Sequence, residues 1–442
     1  MAVSPFDSDL AGALLSDTAA AARFSDAAAI AAMLRVEAAL ARVQGRLGVI
    51  PATAADRIAA AAESLEVAPR DLAPAMAAAG VPVPALVRRL RAAAASPAAN
   101  YVHWGATSQD IVDTGLVLRL APLTDDLDRR LARLIAAFSD LARAHRRTLV
   151  TARTRGQAAT PVSLGLKIAT WLAPLGRHRR RLAELRPRVL VVQFGGAVGS
   201  LAVLGADGPG VMEALARELG LAAPAGPWAS QRDGMLELGG WFALVSGSLG
   251  KLGQDLILLA QSEVREVRPG PGGGSSTLPH KANPVAAEML VALARLNAGL
   301  LGTAHQAAIQ EHERGGPGWT LEWLTLPQMA VATAAGLRHG LAIAAGLELA
   351  PERMAANLAR DPGLTLAEAA LYALRRHLPG AEAEALVAAA CARAAAGEGH
   401  VVDLLSAETD LDLDWAALKD PANQLGAADV LIDRILDAAA KP

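Results

Sequence analysis

Residues 272–288 read GGGSSTLPHKANPVAAE, a dense run of polar and glycine residues in a chain that is 52% hydrophobic. Three consecutive glycines let backbone N–H groups come close to a ligand. Ser275, Ser276 and Thr277 add hydroxyls, while His280 and Lys281 add a proton carrier and a cation. Asn283 is a favoured N-cap and Pro284 suits the first helical position, so a helix should begin there. A helix N-terminus beside a lysine is a natural seat for an anion. Lysine is also scarce, five against 37 arginines, so one inside a glycine loop stands out. An arbitrary Gly-Ser loop ahead of a helix is usually only a connection. Here the full string argues for a site.

Two further segments break the apolar rhythm. His103–Gly115 reads HWGATSQDIVDTG. Thr107 or Ser108 can cap a following helix, with Asp110 and Asp113 well placed in its first turns. From local rules a site and a plain capped helix start are equally good readings. Arg153–Lys167, RTRGQAATPVSLGLK, reads locally as a loop running into a helix at Pro161.

GSSTLPHKANP closely resembles the signature loop of the fumarase/aspartase superfamily, usually GSSxMPxKxNP, with Leu278 where Met is usual. The resemblance implies that Ser275 is the catalytic base working beside a carboxylate and that Ser276 contacts substrate. It implies that Lys281 and Asn283 hold and stabilise the negatively charged substrate, Lys281 acting in catalysis. The string HxGxTSxDxxDT resembles a second superfamily block. By that match Thr107 and Ser108 bind a substrate carboxylate, and His103 lines the pocket as a second proton-transfer candidate. The third segment resembles RTHGQxAxPxTxG, which makes Gln157 a substrate ligand. The family's histidine is replaced there by Arg155. That departure argues against a standard lyase, in which the histidine helps protonate the leaving group.

The resemblance to the cycloisomerase branch extends over nearly the whole chain. It includes residues 24–51, 191–205, Gln310–Pro327 and 420–436, and places Arg314 near a substrate carboxylate. The implied chemistry is addition of a polycarboxylate's own carboxylate oxygen across its conjugated double bond, closing a lactone. An adenylosuccinate lyase-like β-elimination and a catalytically silent structural relative are the alternatives. The resemblance further implies a homotetramer in which each pocket takes one block from each of three chains.

These loops need a rigid frame, and helical periodicity supplies it. Leu120, Leu123, Leu127, Leu131, Leu134, Phe138 and Leu141 recur at steps of three and four, one apolar stripe on a long helix. Further long helices are expected at about 161–185, 236–267 and 284–310. Only short runs such as Val189–Phe194 could pair as strands. The expected fold is all-α: a central bundle over 107–350, flanked by smaller helical domains at 1–106 and 351–442.

Composition narrows the partners. A net charge of -2 offers no overall attraction to nucleic acid or an anionic membrane surface. Cys391 is the only cysteine, which excludes an intrachain disulfide and a cysteine-held zinc. The histidines form no HxxxH or HxH pair, and GPGGGSS lacks the GK[ST] of a phosphate loop, so no metal and no cofactor are expected. The charge-free run 189–206 is divided by Gln193 and the Gly195-Gly196 pair, and the acidic N-terminus is no secretory signal. A cytoplasmic enzyme is the expectation.

Overall fold

A computed structural model describes residues 4–270, 273–274, 277–279 and 281–441. Ser275, Ser276 and His280 lie outside the described residues. The fold is all-α, with several long helices and only two-stranded sheets among the described residues. The helices that matter below are α1 (Asp26–Arg46), α2 (Val83–Ala94), α3 (Ser108–Ala144), α4 (Leu164–Val189), α5 (Asp233–Leu259), α6 (Val285–Gln306) and α7 (Gly316–Gly346). The chain divides into two compact units. One comprises Met1–Arg130, His178–Gly247 and Ala292–Arg338; the other comprises Leu131–Arg177, Ser248–Val291 and His339–Pro442.

In the first unit, Ser25 caps α1 by accepting from the Ala28 N–H at 3.2 Å. Met33, Leu34, Val36, Leu40 and Val43 of α1 join one core with Ile58, Leu86, Leu90, Val211 and Leu215. A Cβ at Gly45 would collide with Ala55, so glycine is what lets α1 and helix Ala52–Ser64 come this close. Leu120, Leu123 and Leu127 of α3 are fully buried here. Asn297 on α6 donates to Ser246 on α5 and Thr333 on α7 at 2.8 and 3.0 Å. Those two helices, α5 and α6, are long and apolar enough to cross a membrane by length and composition. This buried polar network instead ties them to a protein neighbour.

In the second unit, Leu131, Leu134 and Phe138 continue the stripe fully buried, with Leu141 partly so. Residues 149–163 correct the sequence reading. They form an antiparallel hairpin, β1 (Leu149–Thr154) with β2 (Gln157–Ser163), turned by Arg155 and Gly156, both at positive φ. Such a two-residue turn matches strand twist. Pro161 pairs with Thr151 inside β2 rather than opening a helix. β2 has one partner, and an edge strand tolerates the missing N–H. The helix starts at Leu164, where Ser163 Oγ accepts from the Leu166 N–H at 3.1 Å.

Three other expectations shift. Val189–Phe194 contributes only an isolated parallel bridge, Val191 with Ala222. α5 ends at Leu259, short of 267, and Arg265 takes φ +53 to turn the chain back. Asn283 is not the N-cap of α6. Ala282–Asn283 (β4) pairs with Gly273–Gly274 (β3), and the Pro284 carbonyl accepts the first helical bond from Glu288 N at 3.0 Å. The strand bond leaves Asn283 one residue too early to cap.

Candidate active site

The first block is a short loop tied down by α1. His103 stands at φ +66, a left-handed conformation that a non-glycine residue holds only when its surroundings impose it. Its Nδ1 lies 2.6 Å from Glu37 Oε1. One helical face on, the Gln44 amide donates to the Trp104 carbonyl at 2.7 Å. Glu37 and Gln44 are each 1% exposed. Sequence reasoning missed both, although a signal existed. They occupy the three-four register of Ile30, Met33 and Leu40, two polar residues in an apolar stripe.

Burial pulls the His103 imidazolium toward deprotonation, and the charge and hydrogen bond of Glu37, together with the charge of Asp110, outweigh it, so His103 titrates above the ordinary histidine value. Asp110 and Glu37 raise it; Arg91 on α2 lowers it.

Asp110, in the first turn of α3, organises the loop. Oδ2 accepts from Thr107 N at 3.0 Å, half of a capping box, and from Gly196 N at 2.9 Å. Oδ1 accepts from Gln193 Nε2 and Gly195 N, each at 2.9 Å. Burial pushes its pKa up to about 6 against the pull of these four donors. Thus the sequence FGG at 194–196 is a turn built around this carboxylate. Asp110→Asn keeps one acceptor oxygen and aims an NH2 at two N–H donors. Each buried donor left unpaired costs about 1–3 kcal/mol. The substitution is expected to lower stability by roughly 2–6 kcal/mol, read as a fall in the thermal midpoint. An unchanged midpoint would contradict this account of the turn.

Arg314 reaches the same turn: its Nη2 donates to the carbonyls of Gly196 and Ala197 at 3.3 and 2.9 Å. A Cβ at Gly196 would lie 2.9 Å from the Gly105 carbonyl. Thr107, through Asp110, and Arg314 are therefore both tied to the Gly195-Gly196 turn. Beneath them, fully buried Arg232 bonds Asp113 from Nη1 (2.6 Å) and Glu322 from Nε (2.7 Å), and Trp228 covers its face at 4.6 Å. Trp319 Nε1 donates to Asp113 at 2.9 Å. Desolvation works against the Arg232 charge, and the two carboxylates outweigh it, raising its pKa.

The other blocks belong to the second unit. Gln157 is exposed at the start of β2, beside the exposed turn residue Arg155. Arg153 holds the hairpin by a two-pronged bond to fully buried Glu266, 2.8 Å on each arm. Lys281 is exposed and Asn283 half-buried. Among the described residues no cluster of three His, Cys, Asp or Glu has metal-holding geometry.

The sequence pattern of the lyase family matches residues 16–296, and the chain belongs to that family, the fumarase/aspartase superfamily. Within it, the chain is 44% identical to the 3-carboxy-cis,cis-muconate cycloisomerase of Pseudomonas aeruginosa, over 93% of this chain and 92% of the relative. It is 41% identical to the cycloisomerase of that name from Bradyrhizobium diazoefficiens, over 98% of each. The crystal structure of the 3-carboxy-cis,cis-muconate lactonizing enzyme from Pseudomonas putida superposes with a TM-score of 0.90 at 42% identity, covering 98% of this chain and 99% of that one.

Proposed function

We propose that this chain is a cycloisomerase converting 3-carboxy-cis,cis-muconate to 4-carboxymuconolactone, a step in protocatechuate breakdown through the β-ketoadipate route. The observation that carries the reading is end-to-end similarity, at 41–44% identity, to two bacterial enzymes of this name. Arg155 fits it. A lyase must protonate a departing group. In lactone closure the reverse-direction leaving group is the substrate's own carboxylate, a weak base that needs little help.

Three carboxylates need several donors, which we assign to Thr107, Ser108, Gln157, Ser276, Asn283 and Arg314. Attack of one carboxylate oxygen on the double bond moves the π electrons toward the neighbouring carbon, and enolate-like charge builds on the carboxylate attached there. Lys281 and the N–H groups of the glycine loop stabilise it, an effect worth several kcal/mol when preorganised. Proton delivery to carbon completes the lactone, with Ser275 the first proton-transfer group and His103 the second. Closure of the glycine loop would exclude water, which competes as a nucleophile.

We also propose a cytoplasmic homotetramer with pockets shared between subunits. α6 supports this: it is strongly apolar, yet most of it lies outside the chain's own core, with Leu296 exposed. Leu244 and Leu258 of α5 and Leu324 of α7 are exposed as well. The test is to mix purified protein with 3-carboxy-cis,cis-muconate in metal-free buffer and follow loss of the conjugated-diene absorbance, with the lactone identified by NMR. Adenylosuccinate is assayed alongside. Turnover of adenylosuccinate alone would overturn the proposal.

A further inference from the structure

Lactone closure consumes a proton. The substrate enters with three carboxylates and leaves with two and a neutral lactone. One C–O bond forms, the displaced π pair takes one proton at carbon, and near neutral pH that proton comes from solvent at every turnover. A serine hydroxyl can pass a proton on but cannot store one, because its own pKa lies far above neutrality. The site therefore needs a group that charges and discharges near neutral pH, and histidine is the side chain suited to it. The superfamily's histidine in the third block is Arg155 here. In the first block His103 remains.

We propose that Glu37 is a positioning residue that holds His103 as the proton entry of the active site. This deepens the cycloisomerase reading and rests on it. Glu37 is 1% exposed, and its one bond among the described residues is to His103 Nδ1. A buried carboxylate accepts and does not donate, so Nδ1 must carry a hydrogen. The tautomer is thereby set: Nε2 is the nitrogen whose proton comes and goes. Among the described residues Nε2 has no partner, and the His103 side chain keeps 15% exposure. The positive φ of His103 and the Gln44 bond to the next carbonyl fix the ring's attachment, so the pair is held on a rigid helix rather than on the loop alone.

In this scheme the imidazolium gives its Nε2 proton to the site as carbon is protonated. Neutral His103, still bonded to Glu37 through Nδ1–H, then regains a proton from solvent. Neighbouring charges favour the protonated form: Glu37 on α1 and Asp110 on α3 raise its pKa, while burial and Arg91 on α2 oppose them. An acid that must be protonated loses activity as pH rises through its pKa. The wild-type kcat/KM should accordingly fall as pH rises through a pKa above the ordinary histidine value.

The test uses the intact enzyme and three variants. Glu37→Gln keeps an acceptor for Nδ1–H but removes the charge. It is expected to move the basic limb of the kcat/KM profile to lower pH, with about a tenfold or greater loss at pH 8 and a smaller one at pH 6. Glu37→Asp should restore part of the limb, and His103→Asn should abolish it. NMR titration of the His103 Cε1–H, in wild type and Glu37→Gln, reads the same change without substrate. A limb that stays in place while the imidazole titration moves would show that the reaction's proton does not enter through His103. An unmoved titration would show that Glu37 does not hold it. Either result overturns the proposal. If wild type turns over no 3-carboxy-cis,cis-muconate, the functional reading fails instead, and the titration alone still judges the Glu37–His103 pair.

Discussion

Arg232→Met is expected to be the most destabilising single substitution in the first unit. It leaves Asp113 and Glu322, both at most 1% exposed, without the cation that binds them. Breaking a buried ion pair from one side typically costs about 3–5 kcal/mol, because the remaining charge is desolvated and uncompensated. Here two carboxylates are left. The predicted signature is a large fall in thermal midpoint, greater at pH 8 than at pH 5, since a stranded carboxyl is tolerated best when protonated. The triple variant Arg232→Met, Asp113→Leu, Glu322→Leu should recover much of the loss, because well-packed apolar replacements avoid the desolvation entirely. A single variant as stable as wild type would mean that water reaches this triad. Asp113 follows Ser108 on α3, so if Thr107 and Ser108 bind substrate as proposed, the variant should also lose substrate binding before it loses its helices.

Ser275→Ala should remove about 10²- to 10⁴-fold from kcat, the usual contribution of a positioned proton-transfer group. KM should change little, since in the proposed scheme Lys281, Asn283 and the first-block hydroxyls are the groups that hold the carboxylates. Unchanged circular dichroism and thermal midpoint would show that the loss is chemical. Turnover within about twofold of wild type would remove Ser275 from the mechanism and leave His103 as the remaining one of the two proton-transfer groups assigned. Combined with Glu37→Gln, the two effects should be less than additive if both groups serve the same proton.

The long helices were legible because their information is local. An apolar residue every three or four positions needs no partner to be recognised, and the stripe from Leu120 to Phe138 is buried throughout. The polar blocks were legible for the same reason, since glycine, hydroxyl and charge cluster within a few residues. What failed were boundaries that depend on contact. Pro161 looks like a helix start until its pairing with Thr151 places it in an edge strand, and Asn283 looks like a cap until Gly273 bonds it. The end of α5 carries no glycine or proline; the chain turns at Arg265, and the next residue is Glu266, buried against Arg153.

By itself, then, the sequence determined the mainly helical frame and where the polar blocks lie, because periodicity and short motifs are properties of neighbouring residues. The tertiary structure decided which charges are buried and what each of them bonds. Glu37 and His103 are 66 positions apart, Asp113 and Arg232 are 119 apart, and nothing in either segment announces its partner. A carboxylate on a helix is a solvated surface group or a buried organiser according to what packs over it, and packing is a non-local property. That is why Asp110 reads in the sequence as a helix-start acid and in the fold as the centre of a four-donor turn.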